Sequence, residues 1–78
     1  MIFSEKKIAT DIRQEAQVLN LHMGAVEAII DKVTARVGAW ARERSAITKE
    51  DLERVTAREL KKYNADLAYL YKNRGKII

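Results

Sequence analysis

The sequence predicts an all-α fold in one small domain, and three observations lead to that prediction. Proline is absent from the 78 residues and the three glycines are scattered, so no linker divides the chain. Apolar residues recur at three- and four-residue spacings along most of the length, as on the buried face of a helix. Ser4 and Thr48 each stand between an apolar residue and a polar run, which is the pattern of a helix start.

The first helix is predicted over residues 4–20. Ser4 would cap it, and Phe3 and Ile8 stand where a hydrophobic staple closes around a capped start. Its buried stripe comprises Ile8, Ile12, Ala16 and Leu19. Residues 20–24 should then form a corner, because asparagine and glycine tolerate left-handed backbone angles.

The second helix is predicted over residues 25–44 and is the most regularly amphipathic segment. Its apolar stripe has a period near 3.6 residues, and charged residues occupy the other side. The members that we expect in the core or in an interface are Val26, Ile30, Val33, Val37 and Trp40. Residues 44–46 form the second corner.

The third helix is predicted over residues 48–73, where Thr48 and Asp51 form a variant of the capping box. Its members expected in the core or in an interface are Leu52, Val55, Leu60, Tyr63, Leu67 and Leu70. Because this stripe stays in phase across Asn64, we predict one continuous helix and therefore a three-helix domain. A break near Asn64 would instead produce a fourth helix. Residues 74–78 form a short basic and apolar tail.

Composition argues against several classes of function. The chain has no cysteine, which excludes disulfides and thiolate nucleophiles, and its one histidine, His22, has no catalytic partner at a readable spacing. Glu59 and Asp66 are interpreted as ion-pair partners of a neighbouring helix rather than as a metal or acid–base pair. No apolar run approaches the ~20 residues of a membrane span. We therefore predict no enzyme, no metal site, no membrane contact and a cytoplasmic location.

The positive charge is concentrated near the C-terminal end. The chain carries a formal charge of +4, and residues 47–78 hold eight basic against five acidic groups. Such an excess favours an anionic partner, either nucleic acid or an acidic protein surface. The residues expected to contact it are Arg54, Arg58, Lys61, Lys62, Lys72, Arg74 and Lys76. Of the three tyrosines, Tyr63 and Tyr71 fit the packed side of the helix, and Tyr69 is the one expected to be exposed.

Short segments of the chain resemble the helical part of the ATP-cone, a nucleotide-binding regulatory domain of ribonucleotide reductases and of their transcriptional repressor. Residues 3–8 (FSEKKI) resemble the start of its first helix, and residues 47–52 (ITKEDL) resemble a later one. Residues 68–71 (AYLY), followed by Arg74, resemble its closing region. The β-hairpin that opens an ATP-cone has no counterpart here.

This resemblance implies a helical regulatory module. Lys6 and Lys7 match the first-helix position of the family, so the resemblance implies that they would contact ATP or dATP. A looser resemblance is to histone-fold proteins, which also place a long helix between two others and pair as dimers.

The leading hypothesis is a non-enzymatic binding or regulatory module that acts through contacts with a protein, either its own copy or another chain. One Trp, one Phe and three Tyr supply few large core side chains, so we expect the chain to dimerise. One alternative is a small basic nucleic-acid-binding protein, such as a transcriptional regulator. The other alternative is a switch whose oligomeric state responds to ATP or dATP. The protein-binding module and the nucleic-acid-binding protein would need no cofactor.

Overall fold

The computed structural model describes residues 4–74, which form four α-helices joined by three short connections. The helices are α1 (Glu5–Val18), α2 (Met23–Arg42), α3 (Lys49–Lys61) and α4 (Ala65–Asn73). No strand occurs in this part of the chain. The predicted all-α class is confirmed, whereas the preferred count of three helices is wrong and the alternative, a fourth helix after a break near Asn64, is correct.

The third predicted helix is two helices because the backbone turns at Asn64. The N–H groups of Tyr63 and Asn64 both donate to the carbonyl oxygen of Leu60 at 2.9 Å, which ends α3. Asn64 is extended, and its Oδ1 accepts from the N–H of Leu67 at 3.0 Å. The asparagine side chain thus caps a new helix. A continuous helix would lack this hydrogen bond between Asn64 and Leu67.

The two hydroxyl caps predicted from the sequence are confirmed. Ser4 Oγ accepts from the N–H of Lys7 at 3.2 Å, which starts α1. Thr48 Oγ1 accepts from the N–H of Asp51 at 3.0 Å, which starts α3. Each bond satisfies one of the free backbone donors at a helix N-terminus.

The corner between α1 and α2 is built by Asn20 and His22. Asn20 has a φ of 56°, the left-handed conformation expected of this corner. His22 caps α2, because its Nδ1 accepts from the N–H of Ala25 at 3.4 Å. A Cβ on Gly24 would lie 2.8 Å from the imidazole, so glycine leaves room for this cap. As a result α2 begins at Met23, two residues before the predicted start.

The helices enclose one hydrophobic core, in which α1 packs against α2 and α4, and α3 packs against the same two helices. Eleven residues of the predicted stripes are buried: Ile8, Ile12, Ala16, Val26, Ile30, Val33, Val37, Leu52, Val55, Leu60 and Leu67. Trp40 and Leu70 are partly buried. None of the helices in residues 4–74 is both long and apolar enough to span a membrane.

Tyr63 lies at the surface with 42% of its area exposed, so it is not part of the core, and its place in an interface stays a prediction. It belongs to the turn between α3 and α4, and its ring lies 5.6 Å from the ammonium nitrogen of Lys32 on α2. The turn shifts the phase of the apolar stripe, so Leu60 and Leu67 remain inside while Tyr63 does not.

Candidate functional site

A groove with a volume of about 400 Å³ lies between α3 and α4. It is lined by Arg54, Ala57, Arg58, Lys61, Ala65, Ala68, Tyr69 and Lys72, and we call these eight residues the basic groove. The lining includes four cations and no carboxylate. Ala57 and Ala68 are 7% and 6% exposed, so they form an apolar floor beneath the charged side chains.

Helical spacing brings the cations together. Arg54, Arg58 and Lys61 are four and three residues apart on α3, which places their side chains in one row. On α4, Tyr69 and Lys72 are three residues apart and share a face for the same reason. The packing of α4 against α3 then sets the two rows on either side of the groove.

Three of the four cations of the basic groove make no ion pair in the described part of the chain, although Glu50 and Glu53 line an adjoining cavity together with Arg54 and Lys72. Within residues 4–74, no carboxylate lies within ion-pair distance of Arg58, Lys61 or Lys72. Arg54 Nη2 lies 3.0 Å from Asp51 Oδ1, and both side chains are substantially exposed. Such a surface pair contributes little to the stability of the fold, so Arg54 can exchange Asp51 for another anion. The groove therefore presents a positive field to solvent.

Arg74 was predicted to contact an anionic partner, but its side chain points into the fold. Its Nη2 lies 3.5 Å from both Asp11 Oδ2 and Glu53 Oε1. Its guanidinium carbon is 4.2 Å from the centre of the Tyr71 ring, and Nη1 donates to the Tyr71 carbonyl oxygen at 2.6 Å. This arginine is consequently part of the helix packing and does not line the basic groove.

Lys62, another predicted contact, also lies outside the basic groove. Lys62 Nζ donates to both carboxylate oxygens of Glu59 at 3.1 Å. The partner of Glu59 is thus the C-cap residue of its own helix rather than a residue of a neighbouring helix. Asp66 is exposed and makes no ion pair with any residue in the range 4–74. Lys76 lies outside the described residues.

The lysines predicted to contact a nucleotide stand at the start of α1, and neither lines the basic groove. Lys6 is exposed, and Lys7 Nζ donates to Asp11 Oδ1 at 3.1 Å. A small cavity beside Lys7, with a volume of about 190 Å³, also contains Asp11 and Glu53. The cavity also contains the cations Lys49 and Arg74, and Arg74 lies 3.5 Å from both carboxylates.

The tyrosines differ sharply in exposure. Tyr69 is 64% exposed in the wall of the basic groove, as predicted. Tyr71 is 2% exposed, and this burial raises the pKa of its hydroxyl. Only the ring of Tyr69 is thus placed to contact a ligand in the groove.

Sequence reasoning identified the cations of the basic groove but missed its alanines. Ala57, Ala65 and Ala68 carry no charge and no hydrogen-bonding side chain, so no chemical pattern singles them out. Their importance follows only from the approach of α3 and α4, which a continuous helix would not have produced. No group of three or more His, Cys, Asp and Glu in residues 4–74 could hold a metal ion.

Comparisons of the chain with protein-family models, with curated proteins and with solved structures find no match. The resemblances to the ATP-cone and to the histone fold therefore stay predictions from the sequence.

Proposed function

We propose that this chain is a non-enzymatic binding or regulatory module, which contacts an acidic segment of another protein through the basic groove. The observation that supports this function is the combination of four cations, no carboxylate and an alanine floor in one groove. The proposal retains the leading hypothesis from the sequence and assigns it a surface.

The chemistry of the groove indicates what kind of segment would fit. Arg58, Lys61 and Lys72 would gain charge-assisted hydrogen bonds to carboxylates that they do not make within residues 4–74. Ala57 and Ala68 would accept apolar side chains, because small residues leave space between two helices. An amphipathic helix with apolar residues on one face and acidic residues at its edges provides both.

A second copy of this chain is a poor occupant of the basic groove. A two-fold interface places the same surface of both subunits against each other. In a two-fold interface centred on the basic groove, the four cations of one groove would face the four cations of the other, and like charges at an interface are strongly unfavourable. Dimerisation through another face of the molecule stays a prediction.

Binding of single-stranded nucleic acid is the second candidate, and the position of Tyr69 favours it. The ring is 64% exposed and shares the groove with Lys72, so a base could stack on it while the ammonium contacts a phosphate. A phosphate backbone would not use the apolar floor, which is why we prefer an acidic protein segment. Duplex DNA should bind weakly at physiological ionic strength.

A switch that responds to ATP or dATP at Lys6 and Lys7 also stays a prediction. Calorimetry and light scattering, each with and without the nucleotide, test it directly. Heat of binding together with a change in size would support the switch, and the absence of both would contradict it.

Titration of the ¹⁵N-labelled chain with designed peptides tests the proposed function. One peptide of about 14 residues forms an amphipathic acidic helix, and a control has the same composition in scrambled order. We expect the amphipathic peptide to shift the backbone amide signals of Ala57, Ala65 and Ala68 with an affinity at least about fivefold above that of the control. Equal responses to both peptides would show only diffuse charge attraction and would contradict the proposal.

An oligothymidylate of about 12 nucleotides provides the second arm of this experiment. Tighter binding of the oligonucleotide than of the amphipathic peptide, with the signal of Tyr69 shifted most, would favour nucleic acid instead. Weaker binding with steep loss on addition of salt is the expected result.

A further inference from the structure

A second cavity, with a volume of about 390 Å³, lies where the end of α2 meets α3. Its lining includes Trp40, Arg44, Asp51, Arg54 and Arg58, and we call these five residues the arginine cavity. Arg54 and Arg58 line both this cavity and the basic groove, so the two are neighbours that share one row of cations.

Two of the three arginines are held in place by other members of the cavity. The guanidinium carbon of Arg44 lies 5.1 Å from the centre of the Trp40 ring, a distance typical of a cation–π contact. Arg54 donates to the Asp51 carboxylate at 3.0 Å. Arg58 has no carboxylate within ion-pair distance in residues 4–74, so its donors are available to a ligand.

The charge of the cavity matches a compact dianion. Three guanidinium groups and one carboxylate leave a net charge of +2 among these residues. A phosphate monoester carries a charge of about −1.5 to −2 near pH 7 and offers three acceptor oxygens. Arginine is well suited to it, because the planar guanidinium can donate two parallel hydrogen bonds to one phosphate.

We propose that the arginine cavity binds the phosphate monoester of a phosphorylated side chain in a protein partner. The choice of a protein partner rests on the function proposed above, since a segment in the basic groove passes beside Arg54 and Arg58. A nucleic-acid backbone is a poorer match, because its phosphodiesters carry one negative charge each and are spread along the strand. A single glutamate is also a poorer match, since its one charge leaves half of the cavity's charge uncompensated.

The fluorescence of Trp40 reports directly on this cavity, because Trp40 is the only tryptophan of the chain. The probe is a tripeptide of glycine, phosphoserine and glycine with blocked termini, which is too short to fill the basic groove. The same tripeptide with glutamate in place of phosphoserine is the charge control. We expect the emission of Trp40 to change saturably with the phosphoserine peptide, with an affinity at least about tenfold above that of the glutamate peptide.

Matched variants localise the binding. Arg58→Gln should lower the affinity for the phosphoserine peptide at least about fivefold, because it removes the arginine with no carboxylate partner in the described residues. Arg36→Gln is the control, since Arg36 is exposed on α2 and lines neither cavity. This variant removes the same charge and should change the affinity by less than about twofold. Circular dichroism of both variants verifies that the helices are retained.

Several outcomes would overturn the proposal. Equal affinity for the phosphoserine and glutamate peptides, or equal losses in the Arg58→Gln and Arg36→Gln variants, would show that no dianion site exists. Inorganic phosphate bound as tightly as the peptide would indicate a site for the free ion. An oligothymidylate bound more tightly, with dependence on Arg58, would assign the cavity to nucleic acid.

This experiment also separates the two proposals. Binding of the phosphoserine tripeptide without any groove response to the amphipathic acidic peptide would leave the phosphate site standing and would contradict the proposed function of the basic groove. The opposite pattern would contradict the phosphate site alone.

Discussion

Arg74 at the end of α4 contacts Asp11 of α1, with Arg74 Nη2 3.5 Å from Asp11 Oδ2. The Asp11 side chain is 10% exposed and also accepts from Lys7, so the carboxylate is surrounded by two cations. The same guanidinium lies 3.5 Å from Glu53 of α3. One arginine thus connects the last helix to the first and to the third, and it stabilises the closed arrangement of the bundle.

The first prediction concerns this arginine. Arg74→Met keeps an apolar stem against Tyr71 but removes the ion pairs with Asp11 and Glu53, so we expect the free energy of unfolding in urea to fall by about 1 kcal/mol. Lys72→Met is the control, because Lys72 is exposed and makes no ion pair in residues 4–74. Equal losses in the two variants would contradict a structural role for Arg74.

The second prediction tests the break between α3 and α4. Asn64→Ala removes the side-chain cap on Leu67 and should lower the free energy of unfolding by about 1 kcal/mol. Asn64→Ser keeps a capping oxygen, so it should lower the free energy of unfolding less than Asn64→Ala does. Alanine is also the best residue for a continuous helix. An increase in stability for Asn64→Ala would therefore indicate that one long helix is the preferred state.

The third prediction concerns pH and the pair that joins α1 to α2. Arg13 Nε and Nη2 donate to the two carboxylate oxygens of Glu27 at 2.6 and 2.8 Å. These hydrogen bonds lower the pKa of the Glu27 carboxyl below its ordinary value of 4.5 in the folded chain. The pair should therefore stabilise the fold above pH 4.5 and lose this effect as the pH falls through the lowered pKa.

Thermal unfolding of the Glu27→Gln variant at several pH values measures this dependence. Its Tm should lie below that of the unsubstituted chain at pH 7, and the difference should shrink as the pH falls below 4.5. Glu15→Gln is the control, because Glu15 makes no ion pair among the described residues. A difference that is constant with pH would show that Glu27 does not act through its charge.

The fourth prediction is that the chain dimerises, as expected from its small core, and that it does so away from the basic groove. Val18 and Met23 are 70% and 42% exposed beside the corner between α1 and α2, which makes this corner a candidate face. Val18→Glu should convert the dimer to a monomer of 8.9 kDa in light scattering. Lys61→Glu in the groove is the control and should leave the mass unchanged. A monomer before any substitution would contradict the prediction.

The hydroxyl-capped starts of α1 and α3 were the most predictable features of this fold. Ser4 and Thr48 act through a bond three residues along the chain, so the local sequence contains all the information needed. Asn64 acts by the same local bond, yet the stripe of Leu60 and Leu67 continues across it and indicates an unbroken helix. Two local rules conflicted there, and the asparagine cap rather than the apolar stripe determines the structure.

The functional surface was predictable only in part. The row of Arg54, Arg58 and Lys61 follows from helical spacing alone, and Lys72 was recognised as basic. The inward position of Arg74 could not be predicted, because its partner Asp11 lies 63 residues away in the sequence. For the same reason the sequence could not show that Trp40 would share a cavity with arginines of another helix.

The central claim is that the basic groove binds an acidic amphipathic segment, and calorimetric titration of paired variants tests it most directly. Replacing Lys61 and Lys72 together by glutamine should lower the affinity for the amphipathic acidic peptide at least about tenfold, because both cations line the groove. Replacing Lys6 and Lys32 by glutamine removes the same charge outside the groove and should change the affinity less than about twofold. Equal losses in the two double variants would contradict the claim.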